Sequence, residues 1–101
     1  MRKKIIAGNW KMNLEINDAK NLIETVGIEL LKNHVNKDIL FVVPYIYLYP
    51  LINYSQKYPI EIGAQNCYVG KKGEMFGAFT GEISPKMLLS IGIKNILIGH
   101  S

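Results

Sequence analysis

Ile39-Leu40-Phe41-Val42-Val43 is apolar at every position and is closed by Pro44. A strand with one face in water alternates apolar and polar residues. A run without alternation fits a strand covered on both faces, as in a parallel sheet. The flanking sequence supplies what such a sheet needs. Upstream, Ala19, Leu22, Ile23, Val26 and Leu30 recur at spacings of three and four, which predicts a helix from about Asn17. Asn17 is placed to cap it, Asp18 suits its positive amino end, and Lys32 and His34 suit its carboxyl end. Ahead of that helix lies a short apolar run, Ile5-Ile6-Ala7, closed by Gly8.

Downstream, a second helix is predicted from about Ile46 to Gln56. Pro50 is compatible with it only in the first turn, where the amide has no partner. Ile60-Glu61-Ile62-Gly63-Ala64-Gln65-Asn66 reads as a third strand, and a glycine-rich loop follows from Gly70 to Gly81. Ser84 and Pro85 open a third helix as cap and first residue. Leu88, Leu89 and Ile91 are its predicted buried face and Gly92 its carboxyl cap. Asn95-Ile96-Leu97-Ile98-Gly99-His100-Ser101 reads as a fourth buried strand with a polar tip. The order βαβαβαβ implies α/β architecture with parallel strands joined by right-handed crossovers. Residues 1–101 contain no linker, repeat or low-complexity segment and read as one incomplete domain that stops at a strand end.

Composition narrows the function. The 101 residues are 49% hydrophobic and 20% charged, which suits a packed domain and argues against disorder. No apolar run approaches the roughly 20 residues of a membrane span. Met1-Arg2-Lys3-Lys4 has the basic start of a signal peptide, but the apolar stretch after it stops at Gly8, too short for such a segment. One cysteine, Cys67, excludes an internal disulfide and a multi-cysteine metal site, so a cytoplasmic location is expected. A net charge of +4 without a long basic run argues against nucleic acid as a partner. A small anion needs only one or two well-placed lysines.

In parallel α/β sheets the active site lies at the carboxyl ends of the strands. Strand one ends with Asn9 and Lys11, strand two with Pro44, strand three with Gln65 and Asn66, strand four with His100 and Ser101. Singly, each has a plain reading. Lys11 can be a solvated lysine, His100 a strand-end histidine bonded to a carbonyl, Asn9 and Asn66 turn formers, and Ser101 a helix cap. Trp10 reads as packing and Cys67 as an inert thiol. Together, a cation, an amide and an imidazole on one rim suit a small anionic or carbonyl substrate. Gly70-Lys71-Lys72-Gly73 lacks the spacing of a phosphate-binding P-loop, and no G-x-G-x-x-G follows strand one.

Ala7-Gly8-Asn9-Trp10-Lys11-Met12-Asn13 resembles the amino-terminal signature of the triosephosphate isomerases. Gly77-Ala78-Phe79-Thr80-Gly81-Glu82-Ile83-Ser84 resembles that family's third βα-loop, and Ile98-Gly99-His100-Ser101 the start of its strand-four site. The resemblance implies the N-terminal part of a (β/α)8 TIM barrel, about three and a half βα units. It implies interconversion of dihydroxyacetone phosphate and glyceraldehyde 3-phosphate through an enediolate, as in glycolysis and gluconeogenesis, without cofactor or metal. Carried over by position, Lys11 is the cation that holds substrate and stabilises the enediolate, Asn9 orients substrate, and His100 is the electrophile. Ser101 is the hydroxyl near the resting base, and Thr80 is the loop tip that enters the partner subunit of a homodimer. The glutamate base, the lid and the later phosphate loops belong to strands beyond these residues, so the 101 residues alone are expected to be inactive. The alternative is a non-catalytic half-barrel module that works by pairing with a complementary chain.

Overall fold

The computed structural model describes residues 5–33, 38–73 and 76–98. Six elements alternate along it: β1 (Ile5–Asn9), α1 (Ile16–Lys32), β2 (Asp38–Val43), α2 (Tyr45–Ser55), β3 (Ile60–Ala64) and α3 (Pro85–Ser90). The strands form one parallel sheet in the order β1-β2-β3. The unbroken apolar run of residues 39–43 is thus the central strand, paired along both edges.

Register divides the sheet into two faces. Ala7, Leu40 and Glu61 stand abreast, as do Asn9, Val42 and Gly63. The alternate residues point to the helices. There Val43, Ile60, Ile62 and Ala64 pack with Ala19 and Ile23 of α1, Leu48 and Leu51 of α2, Leu88 of α3, and Ile93. The opposite face carries no helix among the described residues and forms a groove of about 240 Å³ bounded by Ala7, Asn9, Leu40, Val42 and the 95–97 segment.

The helices depart from expectation in informative ways. α1 begins at Ile16, with Glu15 as the extended residue before it and no side-chain cap, so Asn17 lies inside the first turn and caps nothing. The chain reaches that start through Leu14, whose φ of 73° is left-handed, and the Ala19 amide closes the first turn on the Glu15 carbonyl at 2.9 Å. Asp18 and Lys32 occupy the first and last turns as expected, while His34 lies outside the described residues. The buried stripe of α1 is Ala19, Ile23 and Gly27, at spacings of four, and Leu22 is left exposed at its margin. Gly27 is there for Tyr58: a Cβ at this position would overlap the ring of Tyr58.

α2 places Pro50 at its sixth residue, in the second turn and not the first. The ring removes the amide that would bond the Ile46 carbonyl. Ile46, Tyr49 and Pro50 are all exposed, so the interruption faces water, which can replace the lost donor. α3 is capped as the sequence predicts: the Ser84 hydroxyl accepts from the Met87 amide at 3.1 Å, and Gly92 follows the helix at a left-handed φ of 92°. Its buried face is narrower than expected. Leu88 is buried and Ile91 half-buried, but Leu89 is 61% exposed. In so short a helix residues 88 and 91 share a side, and residue 89 is turned about 100° away from it.

The predicted fourth strand is present as its first contact. Ile96 bridges to Ala64, with the Ala64 amide donating to the Asn95 carbonyl and the Leu97 amide to the Ala64 carbonyl, both at 2.9 Å. Gly63 permits the approach, since a Cβ there would stand 2.7 Å from the Asn95 carbonyl oxygen. β3 ends at Ala64, so beyond Leu97 it offers no further backbone to pair with, and Ile98 is 77% exposed instead of buried.

Gly27→Ala gives a prediction against simple helix propensity, which favours alanine by about 1 kcal/mol. Overlap with the Tyr58 ring should outweigh that gain. The complete protein should lose about 1–3 kcal/mol of stability by denaturant unfolding, and an unchanged or raised midpoint would show that Tyr58 yields freely.

Candidate active site at the carboxyl ends of the strands

β1 ends at Asn9, and the chain there turns a corner built from side-chain and backbone polar groups. The Trp10 amide extends the sheet ladder by one bond, to the Val42 carbonyl at 3.0 Å. The Trp10 ring turns inward, 7% exposed, with its centroid 5.4 Å from that of Phe41. Trp10 is therefore packing, as its apolar ring suggests, and it anchors a segment whose neighbours Asn9 and Lys11 are exposed.

Lys11 has a φ of 55°, a left-handed conformation that costs a non-glycine residue about 1–3 kcal/mol. Its surroundings hold it there. The Asn9 Oδ1 accepts the Lys11 amide at 2.9 Å. From the end of β3, the Gln65 Nε2 donates to the Lys11 carbonyl at 2.7 Å and to Asn9 Oδ1 at 3.2 Å, and lies 3.4 Å from the Val42 carbonyl. Further along, Asn13 Nδ2 donates to the Trp10 carbonyl at 3.0 Å, and the Tyr47 hydroxyl of α2 donates to the Leu14 carbonyl at 2.9 Å. The corner carries the exposed residues Lys11 and Asn9, and Asn9 also lines the groove on the open face. That arrangement can bind a small anion and stabilise negative charge that develops beside it.

The structure brings Asn9 and Lys11 together at the end of β1, joined by the bond from the Lys11 amide to Asn9 Oδ1. His100 and Ser101 lie outside the described residues. Asn66 is exposed beyond β3 and, among the described residues, its side chain makes no bond to the corner. Gln65 ends strand three in the sequence without a distinguishing motif; the length of its side chain is the signal for its reach, since it spans from β3 across β2 to β1.

Thr80 lies on the loop between β3 and α3. The base of that loop is closed by the Tyr68 amide on the Ile83 carbonyl at 2.7 Å, and Tyr68 packs on Phe79 at 5.1 Å. At its tip the Glu82 amide bonds the Phe79 carbonyl at 3.0 Å around Gly81, whose φ of 86° is that of a type II turn. Thr80 is the exposed residue before that glycine. Beneath the loop, the Tyr45 hydroxyl is buried without a hydrogen-bond partner among the described residues. Burial first, then Cys67 and Glu82 nearby, raise its pKa above the ordinary tyrosine value.

The sequence profile of the triosephosphate isomerases matches residues 4–101. The chain belongs to the triosephosphate isomerase family. A triosephosphate isomerase of Cytophaga hutchinsonii is 44% identical over 103 aligned residues, which take in 100% of this chain and 39% of the relative. One of Streptococcus pyogenes serotype M5 is 41% identical over 100 residues, 99% of this chain and 38% of its own length. The chain thus spans about two-fifths of the curated relatives it matches. The alternating parallel order is that of a partial TIM barrel, in which helices ring the outside and the open face becomes the interior. In that family frame, the corner at Asn9 and Lys11 stands at the carboxyl-terminal face of the barrel strands.

Tyr45→Phe removes a buried hydroxyl that has no hydrogen-bond partner among the described residues. An unsatisfied buried polar group costs about 1–3 kcal/mol, so thermal melting of the complete protein should show equal or higher stability. A loss above about 1 kcal/mol would mean that the hydroxyl has a partner in the complete protein.

Proposed function

We propose that the complete protein is a triosephosphate isomerase, interconverting dihydroxyacetone phosphate and D-glyceraldehyde 3-phosphate through an enediolate and without a cofactor. The observation that carries this reading is the left-handed Lys11, held beside Asn9 at the carboxyl end of β1 in a chain of this family. A strained backbone at a charged, exposed residue is a feature of sites where geometry serves chemistry.

The reaction moves one proton between neighbouring carbons. A base takes a proton from the carbon beside the carbonyl, the electron pair forms a carbon–carbon double bond, and the carbonyl oxygen takes the negative charge. A proton then passes from the neighbouring hydroxyl to that oxygen, and return of a proton to the former carbonyl carbon, as the neighbouring C–O becomes the new carbonyl, gives the isomer. Lys11 serves this sequence twice, attracting the phosphate dianion and stabilising the enediolate oxygen, while Asn9 orients the substrate beside it. His100 polarises the carbonyl as a neutral imidazole, whose acidity suits an enediol better than that of imidazolium. The neutral histidine and the glutamate base are the known arrangement in this family. The base comes from a later strand, and the Ser101 hydroxyl stands near its resting position. Thr80, exposed at a turn tip, reaches into a second subunit of a homodimer and supports its Asn9 and Lys11. The setting is cytoplasmic glycolysis and gluconeogenesis. No described helix is long and apolar enough to cross a membrane.

In the complete protein, Lys11→Met should lower kcat/KM by orders of magnitude, and His100→Gln should lower kcat more than substrate binding. Near-normal kinetics in either variant would remove the role given to that residue. A polypeptide of these 101 residues, assayed alone, should show no turnover above background, since general acid–base transfer is worth about 10²–10⁴-fold and positioning by the later loops is missing as well. Turnover near that of a complete isomerase would contradict this division of labour.

A further inference from the structure

We infer that Gln65 is a positioning residue for Lys11 and Asn9, setting through its side-chain amide the backbone corner from which both reach the substrate. The inference rests on the isomerase reading of the same rim. Gln65 is half-buried at the end of β3, two strands away from the residues it holds. Its Nε2 faces three oxygens: the Lys11 carbonyl at 2.7 Å, Asn9 Oδ1 at 3.2 Å and the Val42 carbonyl at 3.4 Å. Every neighbour is an acceptor, so the amide nitrogen and not its oxygen must point there.

The bonds act on the two properties the site needs. The left-handed φ of Lys11 is sterically disfavoured, and its carbonyl is directed towards the Gln65 amide. Asn9 Oδ1 already accepts the Lys11 amide at 2.9 Å, and the second donor from Gln65 fixes the rotation of the Asn9 side chain. Asn9 and Lys11 are themselves exposed, so packing does little to hold them. Without Gln65 the Lys11 peptide is free to relax towards an ordinary φ, which moves the start of the lysine side chain.

The test is made in the complete enzyme with Gln65→Met, close in length but without N–H groups. Loss of kcat/KM by about 10–100-fold is expected, the scale of an ångström-size misplacement, with a melting temperature within a few degrees of the parent. Combined with Asn9→Ala, Gln65→Met should add little to the loss, because both act through the same corner. If Gln65→Met does not fold, Gln65→Glu keeps the length and polarity while turning a carboxylate towards three oxygens, and the same loss is expected. Parental kcat/KM in the folded Gln65 variant, or losses that multiply in the double variant, would overturn the inference. Lys11→Met separates the two levels: if it abolishes turnover while the Gln65 variants are silent, the isomerase reading stands and the role of Gln65 falls. If Lys11→Met is itself silent, the reading of the rim falls.

Discussion

The structure depends on the pairing of β2 along both of its edges. The register Ala7–Leu40–Glu61 and Asn9–Val42–Gly63 sorts every strand residue to the helix side or the open side, because side chains alternate at a period of two. A slip of one residue would exchange the two faces, burying Asn9 and Glu61 under α1 and α2 and exposing Ile60 and Ile62. The apolar surface of Val43, Ile60 and Ile62 against Ile23, Leu48 and Leu51 therefore does more than hold the helices. It fixes which residues stand at the carboxyl rim.

From that register the site follows by short steps. The Val42 carbonyl receives the Trp10 amide and lies within reach of Gln65, so the end of β2 is the point to which the ends of β1 and β3 are tied. Trp10 is drawn inward onto Phe41 and carries its exposed neighbours to a fixed height above the sheet. The left-handed turns at Lys11 and Leu14 then bring the chain round to α1. Hydrogen bonds from Asn9, Gln65 and Tyr47 offset the strain at those turns. The result is a lysine whose backbone is held by hydrogen bonds while the residue itself stays exposed.

Much of this was legible in the sequence, for identifiable reasons. The central strand was readable because full apolarity has one structural meaning in an α/β pattern. The start of α3 was readable because Ser84 and Pro85 state a cap and a first residue chemically. The start of α1 was not, because Asn17 competes with a corner at Leu14 set by tertiary contacts. The place of Pro50 in the second turn is not legible, because nothing local says which side of a helix faces water. The exposure of Leu89 is not legible from its residue type, because it follows from the geometry of a helix shorter than two turns. Asn9 and Lys11 follow from the sequence as the polar residues at the end of the first strand. Their mutual geometry was hidden, because a left-handed lysine has no sequence signature and its support comes from Gln65, fifty-four positions away.

A structure of the complete protein with a triose phosphate bound tests this picture most directly. Lys11 should keep its positive φ, with its Nζ and the Asn9 side-chain amide within hydrogen-bond distance of the ligand at the carboxyl end of β1. A ligand bound elsewhere, or a Lys11 that relaxes to a negative φ when the ligand binds, would contradict the claim that this portion of the chain carries a preformed half of the active site.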